Sequence, residues 1–265
     1  MKIRLWSDIH NEFGPLTVKA RDDDKETVLV IAGDFDVGAK DDTFVVLLKL
    51  CHQFKAVVFI CGNHEYYHNV VNEVDRRYRE FSDEVENFYF LQGDYAIIDD
   101  VRFIGGTFWT DFNRADDDVM NFCQHRMNDY NYIRYQGPED VIYRRFTPDD
   151  AWYINHKQRA LFAKFLDEKF DGKTIVVTHH APTAHSIDPA YKHHSSDITL
   201  NYAYRNTGLE ETFFKNKEFW GWFHGHIHKR QEHDVFGKKI IANPRGYIGH
   251  EMMAYNFEDD KVIEV

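Results

Sequence analysis

The chain has 265 residues, of which 43% are hydrophobic, 16% aromatic and 29% charged, a composition typical of a globular protein with a sizeable core. Its formal net charge of -12 at pH 7 argues against a sequence-independent nucleic-acid binder, because such proteins need a basic face. A nuclease is not excluded, since bound metal ions add positive charge that a residue count omits. The three cysteines (Cys51, Cys61 and Cys123) form no CxxC pair, so neither a disulfide framework nor a zinc–thiolate site is indicated.

Three sequence features bear on cellular location. The N-terminal residues contain no signal-peptide apolar region, and no apolar run approaches the roughly 20 residues of a membrane span. Widely spaced cysteines agree with a reducing compartment. We therefore expect a cytoplasmic protein without membrane contact, whose oligomeric state the sequence leaves open.

The first part of the chain alternates short apolar runs with helical patterns. Strands are predicted for residues 2–6, 28–32 and 56–60, and the last two are near-continuous apolar runs, which are typical of strands buried on both faces. Apolar residues at helical spacing predict a helix over residues 41–54, and a polar-faced helix is predicted over 69–86. This alternation indicates an α/β layered fold with parallel strands.

The middle of the chain has less regular patterning. Short strands are predicted for residues 88–91, 95–98 and 101–104. The periodicity then lapses, and the stretch near 106–147 is too long for an ordinary connection, so we interpret it as a functional loop or cap. A helix follows over 148–170, for which Thr147 is the predicted N-cap.

The last third of the chain is predicted to be mostly strands. A buried strand over residues 174–177 precedes a second polar insertion near 181–206. Residues 219–223 lead into the last histidine segment, and a closing run of antiparallel strands is predicted for 230–236, 238–242, 252–256 and 262–265. No internal repeat, low-complexity tract or linker is apparent, so we expect a single domain spanning residues 1–265.

Five short segments carry side chains that can bind metal ions. They are Asp8-Ile9-His10, Gly33-Asp34, Gly62-Asn63-His64-Glu65, Thr178-His179-His180 and Gly225-His226-Ile227-His228. Carboxylates, amide oxygens and imidazoles suit hard or borderline divalent metals. Because most of these segments follow a predicted strand, we expect one site at one edge of a sheet. The pattern predicts a dinuclear metal hydrolase.

The individual residues differ in what they can contribute. Asp8 and His10 lie two positions apart on an extended segment and share a face, so both can reach one ion. The carboxylate of Asp34 can bridge two cations, and Asn63 offers a neutral amide oxygen. His64, on a turn next to a ligand, can face substrate instead of metal. Each segment alone is compatible with an ordinary turn or a His-rich loop, whereas the ordered set favours one functional site.

This ordered set resembles the motif blocks of the calcineurin-like metallophosphoesterase superfamily, which read DxH, GD, GNH[ED], a strand-end His and GHxH. Patches at residues 107–112, 127–130, 188–191 and 243–247 are similar to those of a group of uncharacterised bacterial and phage metallophosphoesterases. The resemblance implies a four-layer α/β/β/α sandwich of two mixed sheets flanked by helices.

The resemblance also implies roles for individual residues. One metal ion would be held by Asp8, His10, Asp34 and His228, and the second by Asp34, Asn63, His179 and His226. His64 would contact the phosphate and assist the leaving group, while His180 would not be a ligand. One departure concerns the GDxxDRG motif of the phosphoprotein phosphatases, because the second Asp of that motif is replaced here by Val37. The partner of His64 therefore stays unidentified.

These observations predict a metal-dependent phosphoesterase in which a hydroxide that bridges two metal ions attacks phosphorus in line. The expected catalytic residues are Asp34 and His64, and the expected substrate contacts are Asn63, His64 and Arg245. Arg245 can hold a phosphate oxygen or, equally, pair with an acidic residue. We expect a small phosphodiester or phosphomonoester substrate, for example a nucleotide. The alternatives are a nuclease and a metal-free scaffold of the same fold.

The nature of the metal ions is less constrained by the ligands. Mixed oxygen and nitrogen ligation without thiolate suits Mn, Fe, Zn, Co or Ni, and Mg is also compatible. On the resemblance, we expect two divalent ions and favour Mn.

Overall fold

The computed structural model describes residues 1–138, 142–252 and 256–265. In chain order the strands are β1 (Lys2–Trp6), β2 (Thr27–Ala32), β3 (Ala56–Ile60), β4 (Phe88–Phe90), β5 (Asp94–Ile98), β6 (Val101–Gly106), β7 (Arg134–Tyr135), β8 (Arg144–Arg145), β9 (Lys173–Thr178), β10 (Gly221–Phe223), β11 (Gln231–Val235), β12 (Lys238–Ala242) and β13 (Val262–Glu264). The helices are α1 (Asp41–Gln53), α2 (Val71–Glu84), α3 (Phe112–Ala115), α4 (Asp117–Arg126), α5 (Asp129–Tyr132), α6 (Pro148–Asp167) and α7 (Ser195–Leu200).

Two large mixed sheets form the centre of the fold. The first has the strand order β13-β1-β2-β3-β4, in which only the β13–β1 pair is antiparallel. The second has the order β11-β12-β10-β9-β6-β5, with antiparallel pairs at its two edges and parallel strands between them. The carboxyl ends of the parallel strands in each sheet lie at one edge of that sheet, so polar residues that follow these strands are brought together.

Apolar side chains divide into three clusters that define the layers. Successive side chains of a strand point to opposite faces, so Val30 of β2 packs between the sheets with Val177 of β9. The neighbouring Ile31 faces the other way, into a cluster that contains buried residues of α1 and α2. Val176 of β9 packs in a third cluster against α6. The predicted four-layer α/β/β/α arrangement of two mixed sheets is confirmed.

The main helices and strands agree with the sequence pattern to within a few residues. Helix α6 begins as predicted, because the side chain of Thr147 accepts a hydrogen bond from the backbone N–H of Asp150. The carboxylate of Asp150 accepts in return from the N–H of Thr147 at 2.9 Å, which completes a capping box. Residues 253–255 of the strand predicted at 252–256 lie outside the described part of the chain.

The stretch near 106–147 contains regular structure that the sequence pattern did not show. It includes α3, α4, α5 and the two-residue strands β7 and β8. These elements are too short to give a clear period, and α3 is a left-handed turn in which all four residues have positive φ, a rare conformation for non-glycine residues. Within the described residues, no helix is both long and apolar enough to cross a bilayer.

Candidate metal centre and active site

The segments that carry the predicted metal ligands turn sharply as they leave their strands. Asp8, His10, Asp34 and His226 have φ values of 50°, 49°, 53° and 63°, in the left-handed region that non-glycine residues rarely occupy. Such backbone conformations persist only where the surrounding structure holds them, and they concentrate at functional sites. The turns bring side chains that follow β1, β2, β3, β9 and β10 to one place. The site therefore draws on both sheets, whereas the sequence pattern placed it at the edge of one.

A glycine is required where two of these turns meet. A Cβ atom on Gly62 would lie 2.7 Å from the backbone nitrogen of Asp34 and 2.7 Å from Cε1 of His179. Both distances are well below van der Waals contact. Only glycine allows the loops after β2, β3 and β9 to approach this closely.

The first group of side chains contains Asp8, His10 and His228. Nε2 of His228 is 3.4 Å from Oδ1 of Asp8 and 3.3 Å from Nε2 of His10. Nε2 of His10 also lies 3.6 Å from Oδ2 of Asp34. The ligating atoms of Asp8, His10 and His228 all lie within 4.8 Å of one another, so they can surround one ion.

The second group contains Asp34, Asn63, His179 and His226. Nε2 of His179 is 3.3 Å from Oδ2 of Asp34 and 2.9 Å from Oδ1 of Asn63. The ligating atoms of Asp34, His179 and His226 lie within 4.8 Å of one another. Because Oδ2 of Asp34 lies near His10 of the first group as well, its carboxylate is placed to serve both positions.

Two ligand atoms in this centre lack a partner. Oδ2 of Asp8 and Nε2 of His226 are buried and make no hydrogen bond within the described residues. A buried acceptor without a partner costs about 1–3 kcal/mol, and a cation placed between the two groups would remove that cost. Burial alone would raise the pKa of Asp34, but His179, His64 and His10 hold it well below its usual value. The carboxylate is therefore ionised, as a metal ligand must be. The side chains fit divalent cations.

The other ring nitrogens of the candidate ligands are held by fixed acceptors. Nδ1 of His10 lies 2.9 Å from Oε1 of Glu12, and Nδ1 of His228 lies 2.7 Å from Oε2 of Glu251. Nδ1 of His179 lies 2.9 Å from the carbonyl oxygen of Ala32. In each ring the nitrogen that bears the proton is thus turned outward, which leaves the Nε2 lone pair for a metal ion.

His64 lies beside the two groups and has a carboxylate partner. Nδ1 of His64 is 2.9 Å from Oε1 of Glu12, and Nε2 is 3.2 Å from the hydroxyl of Tyr247. Its ring stacks on Tyr67 with the centroids 4.2 Å apart. Burial opposes ionisation of Glu12, but the hydrogen bonds from His10 and His64 lower its pKa to about 2. Glu12 is therefore an ionised acceptor for both rings.

Glu12 is the partner of His64 that the sequence left unidentified, because the second Asp of the GDxxDRG motif is absent here. Asp36, which is near the expected position in sequence, accepts hydrogen bonds from Val37 N at 2.7 Å and Thr43 Oγ1 at 2.9 Å. The carboxylate beside His64 comes instead from the short 3-10 helix after β1. The only sequence signal was an acid two residues after His10.

Asp129 is a second residue that the sequence analysis missed. It lies in α5, within the stretch near 106–147, and is 2% exposed. Its Oδ1 accepts hydrogen bonds from Nδ2 of Asn63 at 2.8 Å and from the hydroxyl of Tyr67 at 3.1 Å. The first of these bonds turns the amide oxygen of Asn63 toward His179, and the second holds the ring that stacks on His64.

Glu65 organises the loops themselves. Its carboxylate accepts hydrogen bonds from the backbone N–H groups of Asp34 at 3.0 Å, Phe35 at 2.6 Å and Gly62 at 2.7 Å. Burial and the nearby Asp34 raise the pKa of Glu65 to about 8. Glu65 therefore ties the turn after β2 to the turn after β3 and has no ligand atom free for a metal ion.

His180 and Arg245 lie outside the two groups. His180 is buried, and its ring packs 4.2 Å from that of His226 and 5.0 Å from that of Trp109. Nη1 of Arg245 donates to the carbonyl oxygens of Ile9 at 2.9 Å and Gly14 at 2.6 Å. This places Arg245 behind the loop that carries His10 and Glu12, and its contact with substrate stays a prediction.

A cavity of about 660 Å³ opens directly onto this centre. Asn63, His64, His226 and His228 of this centre line it. The remaining wall comes mainly from residues 126–128, 187–204 and 227–229. The cavity therefore gives a bound molecule access to residues of both candidate metal groups and to His64.

Comparison with known proteins identifies the family and the fold of this chain. Residues 1–230 match the family model for calcineurin-like phosphoesterases. Over 215 residues the chain is 23% identical to "Uncharacterized protein L509" of Acanthamoeba polyphaga mimivirus. The aligned region covers 78% of this chain and 74% of that protein.

Two solved structures have the same fold. The phosphopantetheinyl hydrolase PptH from Mycobacterium tuberculosis superposes with a TM-score of 0.67 at 15% identity, covering 93% of this chain and 89% of that one. The protein TT1561 of Thermus thermophilus gives a TM-score of 0.51 at 11% identity, covering 92% and 88% of the two chains. At these identities the likeness shows the fold alone.

Proposed function

Because the chain belongs to the calcineurin-like phosphoesterase family, we propose that it is a dinuclear metal-dependent enzyme that hydrolyses a small phosphodiester or phosphomonoester. The observation that carries this proposal is the convergence of two ligand groups on Asp34, with Asp8 Oδ2 and His226 Nε2 buried and unpartnered among the described residues. PptH, which shares the fold, is by its name a hydrolase of a phosphate-linked group.

The two groups would divide the metal ions as follows. Asp8, His10, Asp34 and His228 would hold one ion, and Asp34, Asn63, His179 and His226 would hold the other. Divalent cations bound there would supply positive charge that activates water and neutralises the charge that develops on the phosphoryl oxygens. The oxygen and nitrogen donors suit Mn, which we favour, and also Fe, Zn, Co, Ni or Mg.

His64 would act on the leaving group. Its Nδ1 is held by the ionised Glu12, which stabilises a proton on the ring and fixes its orientation. Its Nε2 lies next to Tyr247 at the wall of the cavity. A proton on Nε2 can therefore be donated to the oxygen of the departing group. Burial raises the pKa of Tyr247, so its phenol stays protonated and can support the same oxygen through a hydrogen bond.

Hydrolysis of bis-p-nitrophenyl phosphate and p-nitrophenyl phosphate tests the proposal. The protein would be stripped of metal and then given Mn, Ni, Zn or Mg, with bound metal measured in parallel. Asp34→Asn should abolish metal-dependent release of p-nitrophenol. Asp36→Asn, the same chemical change two residues away, should retain it, because Asp36 hydrogen-bonds to Thr43 and not to the centre.

The outcome separates the alternatives. Release that requires metal and Asp34 supports a phosphoesterase, and the ratio of the two substrates separates diesterase from monoesterase. A folded protein that binds no metal and hydrolyses neither compound would contradict the proposal and favour the metal-free scaffold. We propose a small phosphate ester as substrate in place of a nucleic acid, since the net charge of -12 does not favour a polyanion.

A further inference from the structure

The cavity beside the centre is much larger than a phosphate group requires. Its volume of about 660 Å³ compares with a share of about 30 Å³ for one water molecule in the liquid. Cavities of roughly 300–1,000 Å³ hold organic molecules of drug-like size. Since Asn63, His64 and His228 of the centre line this cavity, an ester phosphate at the centre would place the attached organic group in this space.

The charges on the wall balance one another. Glu251 is hydrogen-bonded to His228 and belongs to the centre. Away from the centre, the charged side chains among the described wall residues are two cations, Arg126 and Lys229, and two carboxylates, Asp188 and Asp197. Lys229 and Asp188 form an ion pair. A wall with balanced charge does not select a polyphosphate or an acidic peptide, so it suits an organic group that is itself uncharged.

The uncharged part of the wall is rich in tyrosine. Four tyrosines line the cavity: Tyr67, Tyr191, Tyr204 and Tyr247. Tyr204 packs against His226, a candidate metal ligand, with the ring centroids 4.8 Å apart. Tyrosine offers a rigid flat face for stacking and a hydroxyl for hydrogen bonds. Asn128 and Asn201 add amide groups to the same wall. Flat faces combined with amides and hydroxyls match a heteroaromatic ring with polar edges.

We infer that the cavity binds a nucleoside, and that the substrate is a nucleoside phosphate ester. This inference rests on the proposed phosphoesterase function and names the organic part of its substrate. Tyr191 and Tyr204 are the residues that would discriminate this group from a small alkyl group. They lie in the stretch near 181–206, which supplies none of the candidate metal ligands.

Two chromogenic esters test the inference. The p-nitrophenyl ester of thymidine 5'-monophosphate carries a nucleoside, and methyl p-nitrophenyl phosphate carries only a methyl group at the same phosphorus. Stacking of one base corresponds to roughly five- to 150-fold in binding, so kcat/KM for the thymidine ester should be higher by about tenfold or more. The ratio of the two kcat/KM values should fall toward one in Tyr204→Ala and in Tyr191→Ala.

A matched control and a binding measurement accompany the kinetics. Tyr153→Ala, a half-exposed tyrosine on α6 that does not line this cavity, should keep the wild-type ratio. Calorimetry with thymidine and with pantetheine as competing ligands compares a flat group with a flexible amide chain. Thymidine should bind. Tyr191→Ala, at a 60% exposed residue, should weaken the binding of thymidine even if Tyr204→Ala fails to fold.

The results of these experiments test the nucleoside inference and the proposed phosphoesterase function separately. Equal kcat/KM values for the two esters would overturn the nucleoside inference and leave the phosphoesterase proposal intact. Binding of pantetheine without thymidine would overturn it in favour of a flexible organic group. If only p-nitrophenyl phosphate is hydrolysed, the proposed function stands and the binding of thymidine decides the inference. If neither ester nor p-nitrophenyl phosphate is hydrolysed with any metal and thymidine does not bind, both the inference and the proposed function fail.

Discussion

Replacement of Asp129 by alanine should weaken metal binding at the position that includes Asn63. Asp129 accepts the hydrogen bond from Nδ2 of Asn63 at 2.8 Å, and the two side chains are 2% and 3% exposed. A hydrogen bond to a charged group contributes about 1.5–3 kcal/mol, and about 1.4 kcal/mol corresponds to tenfold. Without this bond the amide of Asn63 is free to turn, so we expect an affinity about 10- to 150-fold lower. This agrees with the 10- to 100-fold effect typical of groups that orient a metal ligand.

Calorimetric titration of the metal-free protein with Mn measures this effect directly. The group of Asp8, His10 and His228 makes no contact with Asp129 among the described residues, so only one of two binding events should weaken. Asp129→Asn keeps a neutral acceptor oxygen and should lose less affinity than Asp129→Ala. Asp118→Ala, an exposed acid on α4 in the same stretch, is the matched control. If folded Asp129→Ala bound both ions as tightly as the wild type, the role assigned to Asp129 would be refuted.

Three further predictions concern the centre. His64→Ala should lower turnover by about 10²- to 10⁴-fold, the usual contribution of a general acid, while metal content stays near that of the wild type; an equal loss of metal would contradict this role. Gly62→Ala should lower the denaturant midpoint of the metal-free protein by an amount equivalent to at least about 1–3 kcal/mol, because the added methyl group would meet Asp34 and His179. An unchanged midpoint would show that the loops can separate. Removal of metal with a chelator should lower Tm by about 5–10 °C, since free metal at about 100 times Kd stabilises the folded state by about 2.7 kcal/mol; an identical Tm in calorimetry would argue against any bound ion.

The parts of the site that the sequence could predict are those tied to strand ends. Asp34 and Asn63 follow β2 and β3 of the first sheet, and His179 and His226 follow β9 and β10 of the second. The apolar runs of β2, β3 and β9 are visible in the sequence. Because parallel strands in one sheet present their carboxyl ends together, the side chains that follow them must be neighbours. The error of placing them at a single sheet edge arose because periodicity locates strands and does not show which strands share a sheet.

The contacts that sequence reasoning missed depend on packing between distant segments. Glu12 and His64 are 52 positions apart, and Asn63 and Asp129 are 66 positions apart. Glu12 belongs to a three-residue 3-10 helix and Asp129 to a four-residue helix, and neither element is long enough to give a hydrophobic period. Their side chains acquire a function only when the tertiary structure places them against the turn that carries Asn63 and His64.

The cavity beside the candidate metal centre takes much of its wall from the two stretches near 106–147 and 181–206. The strand ends supply the candidate metal ligands, and these positions are constrained by backbone turns that tolerate little change. Much of the cavity wall comes instead from residues such as Met127 and Tyr204, which lie in these two stretches and outside the strands of both sheets. Loops on a rigid scaffold commonly carry specificity in this way. Residues 126–129 connect the cavity wall with the candidate metal centre. Arg126, Met127 and Asn128 line the cavity, and Asp129 accepts a hydrogen bond from Asn63. We therefore expect a change in the wall at this segment to reach the candidate metal centre through Asp129.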